Sequence, residues 1–257
     1  MMISYPQKIL LLTIPICFIS GCASINNQQD PLESMNRTIF SFNEKLDEFV
    51  LEPAARGYRA VVPDPIEMIV GNFFSNIGDV AITANSLLQL KFADAAASSS
   101  RVLINTTFGL LGAVDLASHI SQVSDIDISK RNEDFGQTLG YYGVGTGPYI
   151  VLPMLGPSTM RDAVGMGVDS VIFDPLRSSL YNKFNFLTVR LPVTAGQVID
   201  IRAQNLDLDK TLEEAALDKY EFVRDAYLQR RKSLVKDGDV PREKDIEEFE
   251  DLNGDLF

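Results

Sequence analysis

Asp64-Pro65-Ile66-Glu67-Met68-Ile69-Val70-Gly71-Asn72-Phe73-Phe74-Ser75-Asn76-Ile77 is the stretch from which the fold is read. Ile66, Ile69, Val70, Phe73, Phe74 and Ile77 recur at i, i+3, i+4, i+7, i+8 and i+11, which is one apolar face of an α-helix. Asp64 suits the N-cap and Pro65 the first helical position, where a missing N–H costs nothing. Working outward, Asp79 to Leu90 predicts a second helix with Val80, Thr83, Ala84, Leu87 and Leu88 on one side. Asp94 predicts the cap of a third, Ala95 to Phe108, and short loops between them predict antiparallel neighbours. Near the other end, Asp209 to Val235 reads as a long polar helix with a narrow seam of Leu212, Ala215, Ala216, Tyr220, Val223, Ala226 and Tyr227. Its basic end, Arg230, Arg231, Lys232 and Lys236, complements the helix dipole and reads as a solvated terminus, the alternative being contact with lipid headgroups or a partner. Strand signals are confined to Tyr149–Leu152 and Thr188–Leu191, both beside proline, so the fold class is all-α.

The 257 residues are 46% apolar and 23% charged, enough to bury a core and too apolar for a disordered chain. A net charge of −12 and the absence of a clustered basic surface exclude nucleic acid as a partner. Much of that charge is local: Asp237 to Phe257 holds nine carboxylates against Arg242 and Lys244. Residues 236–257 therefore read as a solvated, disordered tail. No linker or repeat splits residues 31–235, which read as one helical domain.

The N-terminus carries Lys8, then an apolar run Ile9 to Ile19 interrupted by Pro15. Eleven residues of helix span about 16 Å, half of a ~30 Å hydrocarbon core, so residues 1–21 are a signal peptide and not a membrane span. Ile19-Ser20-Gly21-Cys22 resembles the bacterial lipobox, in which small residues precede a cysteine that is acylated and becomes residue one. Cys17 leaves with the leader, so the mature chain has no disulfide. Acyl chains on Cys22 at ~0.8 kcal/mol per buried methylene give stable anchoring. Residues 22–30 are then the lipidated cysteine and a polar linker. Ala23, where Asp would commonly retain such a protein at the inner membrane, favours an outer-membrane destination.

Phe135 to Met160 contains 26 residues without a formal charge. Six glycines and three prolines between Gly136 and Pro157 forbid a transmembrane helix, and irregular backbone cannot face lipid unpaired, so the segment is expected to be internal to the assembly. It reads in two ways. Ordinary core explains the lack of charge, whereas Gly140-Tyr141-Tyr142-Gly143 and Gly147-Pro148-Tyr149 suit a polar–apolar boundary, where amphipathic rings with little backbone bulk contact lipid or line a channel. Phe135, Gly140, Tyr141, Tyr142, Gly143, Gly145, Thr146, Gly147 and Tyr149 are the lipid-channel candidates. Farther on, Gly165 and Gly167 among apolar neighbours suit close helix packing.

Enzyme readings fare poorly. There is no G-x-S-x-G elbow, and His119, the sole histidine, sits in Leu116-Ala117-Ser118-His119-Ile120 with no local acid, as an ordinary surface or helix-end residue does. Gly143-Val144-Gly145-Thr146-Gly147 lacks the lysine of a phosphate loop and the βαβ context of a dinucleotide fold. Asp125 and Asp127 open like a calcium loop, but Lys130 stands at the glycine position and Gly136 at the terminal glutamate position. One histidine and no mature thiol make zinc improbable. No cofactor, metal or catalytic residue is expected.

Asp30-Pro31-Leu32-Glu33-Ser34-Met35-Asn36-Arg37 with Phe40 and Phe42-Asn43, Asn105-Thr106-Thr107 with Gly109 and Gly112, and Asp134-Phe135-Gly136-Gln137-Thr138-Leu139-Gly140 together resemble the MlaA (VacJ) family of outer-membrane lipoproteins. So do Gly147-Pro148-Tyr149 with Leu152-Pro153, Gly156-Pro157-Ser158-Thr159 with Arg161-Asp162, and Tyr227-Leu228-Gln229-Arg230-Arg231. The resemblance is collinear from Asp30 to Lys232, and the acidic tail falls outside it. It implies a ring-like bundle of amphipathic helices lying in the membrane plane around an amphipathic channel. It also implies association with trimeric porins, removal of mislocalised phospholipid from the outer leaflet, and hand-over to the periplasmic carrier MlaC without covalent chemistry. The alternative is a porin-associated scaffold lipoprotein with no lipid channel of its own.

Overall fold

The structure, a computed structural model, describes residues 30–175, 191–206 and 217–238. The leader with Cys22, the proposed strand residues 188–190, residues 209–216 of the proposed long helix and nearly all of the acidic tail lie outside them. Helix α1 (Glu33–Leu46) continues through one π-helical turn, Asp47–Leu51, into α2 (Glu52–Val61). The wide turn has a local cause: Pro53 has no N–H, and its ring would collide with the carbonyl four residues earlier in a regular helix. Then come α3 (Asp64–Leu88), α4 (Phe92–Thr107), α5 (Leu116–Val123) and α6 (Phe135–Tyr141). A hairpin of β1 (Tyr149–Leu152) and β2 (Gly156–Thr159) leads into α7 (Met160–Val168), whose end widens into a π-helical turn, Asp169–Phe173. Helices α8 (Leu191–Gln204) and α9 (Lys219–Val235) complete the described residues. The all-helical class thus holds with one small hairpin added, and Leu191 opens a helix, not a strand.

Two helices expected on either side of Asp79 are one, 25 residues long. Asp79 does not cap anything. Its carboxylate is 1% exposed and takes Arg101 Nε at 3.1 Å and Lys130 Nζ at 2.7 Å, and this pairing lets an acid sit in mid-helix. Asp64 is likewise a first-turn residue without a capping bond, and Lys91, not Asp94, precedes α4. Asp94 instead pairs with Arg131 at 2.7 Å.

The apolar face of α3 is not its buried face. Ile66, Ile69 and Phe73 are exposed, as are Leu87 and Leu88, while Asn76, Asp79, Ile82, Asn85 and Ser86 are buried. The same inversion marks α4, which buries Ser98, Arg101 and Asn105 and exposes Phe92 and Leu103. Among the described residues twenty polar or charged residues are buried against eleven apolar ones, five of them alanine. A water-solvated domain of this size has the opposite ratio.

The hairpin is fixed by α1. Asn36 donates to the Tyr149 carbonyl at 3.0 Å and accepts from the Val151 amide at 2.9 Å; Asn43 donates to the Leu152 carbonyl at 2.9 Å and accepts from the Met154 amide at 2.8 Å. Seven helical residues rise about 10.5 Å and three strand residues about 10 Å, so two asparagines two turns apart stand in for a neighbouring strand. This pairs the free edge of β1, which would otherwise hold orphaned backbone groups. Tyr149 and Val151 pack with Tyr220 of α9 to form a small apolar cluster over Ile39 and Phe40.

Close packing is found at Gly165 but not at Gly167, where an added Cβ would meet open space. A Cβ on Gly165 would lie 2.3 Å from the Gly136 amide nitrogen and 2.7 Å from its Cα, so α6 and α7 touch backbone to backbone. Gly165→Ala should lower unfolding free energy by about 1–3 kcal/mol in detergent, read by chemical denaturation, because backbone cannot yield as a side chain does.

Candidate functional site

The uncharged segment divides into two fixed ends and an exposed middle. At the first end, Asp134 caps α6 by accepting from the Gln137 amide at 2.8 Å, and Gly136, Gln137 and Thr138 are buried. Helix α6 stops in a Schellman turn: the Gly143 amide donates to Gly140 O at 2.9 Å, and the Val144 amide to Leu139 O at 3.0 Å. Gly143 holds φ +84°, which a side chain would strain. At the second end, Tyr149 is buried at the start of β1, where burial and the Asp30 charge push its hydroxyl up to about 12.

Between them Tyr141 to Gly147 is exposed on this chain. Tyr141 and Tyr142 meet edge to face at 5.2 Å, and the Tyr142 hydroxyl donates to Leu88 O at 2.6 Å, tying the loop to the end of α3. Buried Arg161 holds the far side, its amide donating to Thr146 O at 3.1 Å and its guanidinium to Val144 O at 3.4 Å. Gly140 leaves room for this arm, since a Cβ would meet Arg161 Nη1 at 2.8 Å and Val235 at 2.9 Å. Gly145 has open space where a Cβ would go. Phe135 is half-buried and tilts against Phe173 at 6.3 Å. The expectation of an internal segment thus fails for its Tyr141–Gly147 loop and for the exposed Pro153, Met154, Leu155 and Met160, and holds for the buried residues on either side of that loop.

Arg231 fixes the whole arrangement, and it is not the solvated helix-end residue expected of it. Its guanidinium reaches Asp134 at 2.5 and 3.0 Å and Asp162 at 2.8 and 3.0 Å, so the N-termini of α6 and α7 present their carboxylates to one cation. Burial alone would raise both acids, but the Arg231 charge and hydrogen bonds outweigh it and hold them below the usual carboxylate range. Tyr227 adds a hydroxyl to Asp162 at 2.9 Å. Asp169 has no such cation in contact: burial raises it although the Phe135 amide and Asn85 donate to it.

An open cavity of about 750 Å³ lies elsewhere, between α3 and α8. Arg59, Asp64, Glu67, Lys130 and Asp200 line it with charge, and Met68, Phe74 and Ile201 with apolar surface. None of the lipid-channel candidates lines it. Within it Asp200 is 2% exposed and receives the Tyr58 hydroxyl at 3.2 Å and Gln204 Nε2 at 3.0 Å; burial pushes its carboxyl up. A Cβ on Gly71 would meet Gln204 Nε2 at 2.9 Å, so this glycine keeps α3 and α8 close.

His119 is an exposed residue of α5, and the Asp127 carboxylate is engaged by Ser129 and Arg131. Among the described residues no group of acids, cysteine or histidine is placed to hold a metal, and no helix is long and apolar enough to cross a membrane.

Residues 28–234 match the family model described as MlaA lipoprotein. The chain belongs to the MlaA lipoprotein family. It is 34% identical over 242 residues, covering 91% of this chain and 90% of the relative, to the intermembrane phospholipid transport system lipoprotein MlaA of Shigella flexneri. The MlaA lipoprotein of the same system in Haemophilus influenzae is 33% identical over 246 residues, covering 93% and 94%. A chain solved in work on the structural basis for maintenance of bacterial outer membrane lipid asymmetry superposes with a TM-score of 0.69 at 34% identity, covering 81% of this chain and all of that one. In this MlaA-family chain the cavity residues escaped the sequence reading. A trace was there: Asp200 is the one carboxylate in Leu191–Gln204, with Gln204 one turn on.

Proposed function

We propose that the chain is a lipoprotein, anchored through Cys22 to the periplasmic face of the outer membrane, that takes mislocalised phospholipid from the outer leaflet and passes it inward to a periplasmic carrier, MlaC, for return. Its helices form a ring in the membrane plane beside a trimeric porin, and the lipid follows an amphipathic path between them. The observation that carries this reading is the inverted burial: a body with apolar residues outside and polar residues within suits an acyl-chain exterior and a path for headgroups. A charged head cannot cross an apolar medium without a cost of several kcal/mol, whereas buried amides and paired ions offer it partners. Backbone strain supports the same exterior. Leu110 and Leu111 hold φ +54° and +61°, costing roughly 1–2 kcal/mol each, and both side chains stand exposed at 75% and 69%. Water gives no return for that expense, while lipid does.

The Tyr141–Gly147 loop, exposed yet tied to α3 and α7, is where we place control of the path. Gly145→Trp tests it at an exposed position where an added Cβ meets no atom within 4 Å. The expected result is surface phospholipid approaching the level of cells without the protein, with porin co-purification intact and stability within about 0.5 kcal/mol of wild type. A pure scaffold predicts no such split, and unchanged lipid retrieval would remove the loop from the path.

A further inference from the structure

The cavity between α3 and α8 contains a feature that a general lipid path does not require. Asp200 is buried to 98%, belongs to a helix wall, and has no cation within ion-pair distance among the described residues; its oxygens are held by Tyr58 and Gln204, both neutral. The buried Asp79 and Asp162 are neutralised by arginine or lysine, whereas Asp169, which is only half-buried, also has none in contact among the described residues. A buried carboxylate is retained at such a position when a cation arrives from outside. Around it the cavity adds the carboxylates of Asp64 and Glu67, and the apolar surface of Met68, Phe74 and Ile201, while the ammonium of Lys130 is already engaged by Asp79 and Ser75.

We infer that this cavity binds a zwitterionic phospholipid headgroup, with its primary ammonium at Asp200, in preference to a net-anionic headgroup. This rests on the proposed lipid-carrying function and adds the headgroup class to it. The chemistry follows from charge. A phosphate whose headgroup ends in hydroxyls brings no positive group to Asp200 and meets an excess of negative charge, whereas an ammonium donates to the second lone pairs of the two oxygens that Tyr58 and Gln204 engage. The size is suitable, since about 750 Å³ is within the range of small-ligand sites.

The experiment is lipid competition on the purified, acylated protein in detergent. It is equilibrated with equimolar phosphatidylethanolamine and phosphatidylglycerol, and the bound lipid is read by native mass spectrometry. The wild type should retain the amine lipid over the anionic one by roughly tenfold, the ratio that about 1.4 kcal/mol of selective interaction gives. Asp200→Asn should bring the ratio near parity with total bound lipid retained, and Asp200→Glu should restore most of the preference. If the asparagine protein fails to fold, Gly71→Val, which pushes into Gln204 and Asp200, serves as an independent variant and should reduce the preference. Lipid bound with equal preference in wild type, or a ratio that Asp200→Asn and Gly71→Val leave unchanged, overturns the headgroup assignment while leaving lipid carriage standing. No lipid bound by the wild type overturns the function itself.

Discussion

Replacing Arg231 with alanine is expected to lower the unfolding free energy by about 3 kcal/mol, because half-buried Asp134 loses its cation and buried Asp162 is left with Arg161 alone. Denaturant unfolding of the detergent-solubilised protein measures it, and Arg231→Lys should recover only part, since an ammonium cannot span both carboxylates as a planar fork does. The pair also predicts acid sensitivity. Both acids are held below their unfolded value, so the stability they contribute is fully present above about pH 4 and is lost as pH falls through their lowered folded values. In Arg231→Ala that acid-dependent loss should largely vanish. An alanine variant as stable as wild type at pH 7 would mean that the ion pair does not hold α9 to α6 and α7.

Arg101→Met should follow closely, at about 3 kcal/mol or more. The guanidinium is 1% exposed and serves Asp79, Asp115, Ser118 and the Ile128 carbonyl together, so one side chain joins α3, α4, α5 and the loop before α6. Methionine fills the volume but leaves those acceptors short of a donor, with only Lys130 remaining on Asp79. Asp115 is depressed to about 2 against its burial by Ser118, Arg101 and Asn105. Its contribution is therefore present above about pH 4 and lost toward pH 2, by the same sign. Thermal unfolding at pH 7 and pH 3 separates the two variants from a general loss of packing, which would show no pH dependence.

What the sequence conveyed and what it withheld have physical reasons. The period of Ile66 to Ile77 announces a helix, but a period has no sign: it marks an apolar stripe without telling whether water or hydrocarbon lies outside. The exposure of Ile66, Ile69 and Phe73 could only come from knowing the solvent. Asp79 was misleading because an acid in a helical run usually signals a cap, and the cations that let it stay, Arg101 and Lys130, are 22 and 51 residues away. Arg231 escaped for the same reason, with partners 97 and 69 residues distant. In contrast Tyr149–Leu152 as a strand was readable because aromatic and β-branched residues act locally, whereas the helix end at Gly143 was read only as part of a lipid-contacting segment. The motif asparagines Asn36 and Asn43 were visible as a pattern, yet their task of pairing β1 needs the fold.

The most direct test of the central claim is the amount of phospholipid exposed in the outer leaflet of cells that lack this chain, measured with a reagent or phospholipase that reaches only the surface. The account predicts a rise that the wild-type gene reverses and that a version with Cys22→Ala, denied its anchor, does not. An outer leaflet with the same phospholipid content with and without the protein would contradict it.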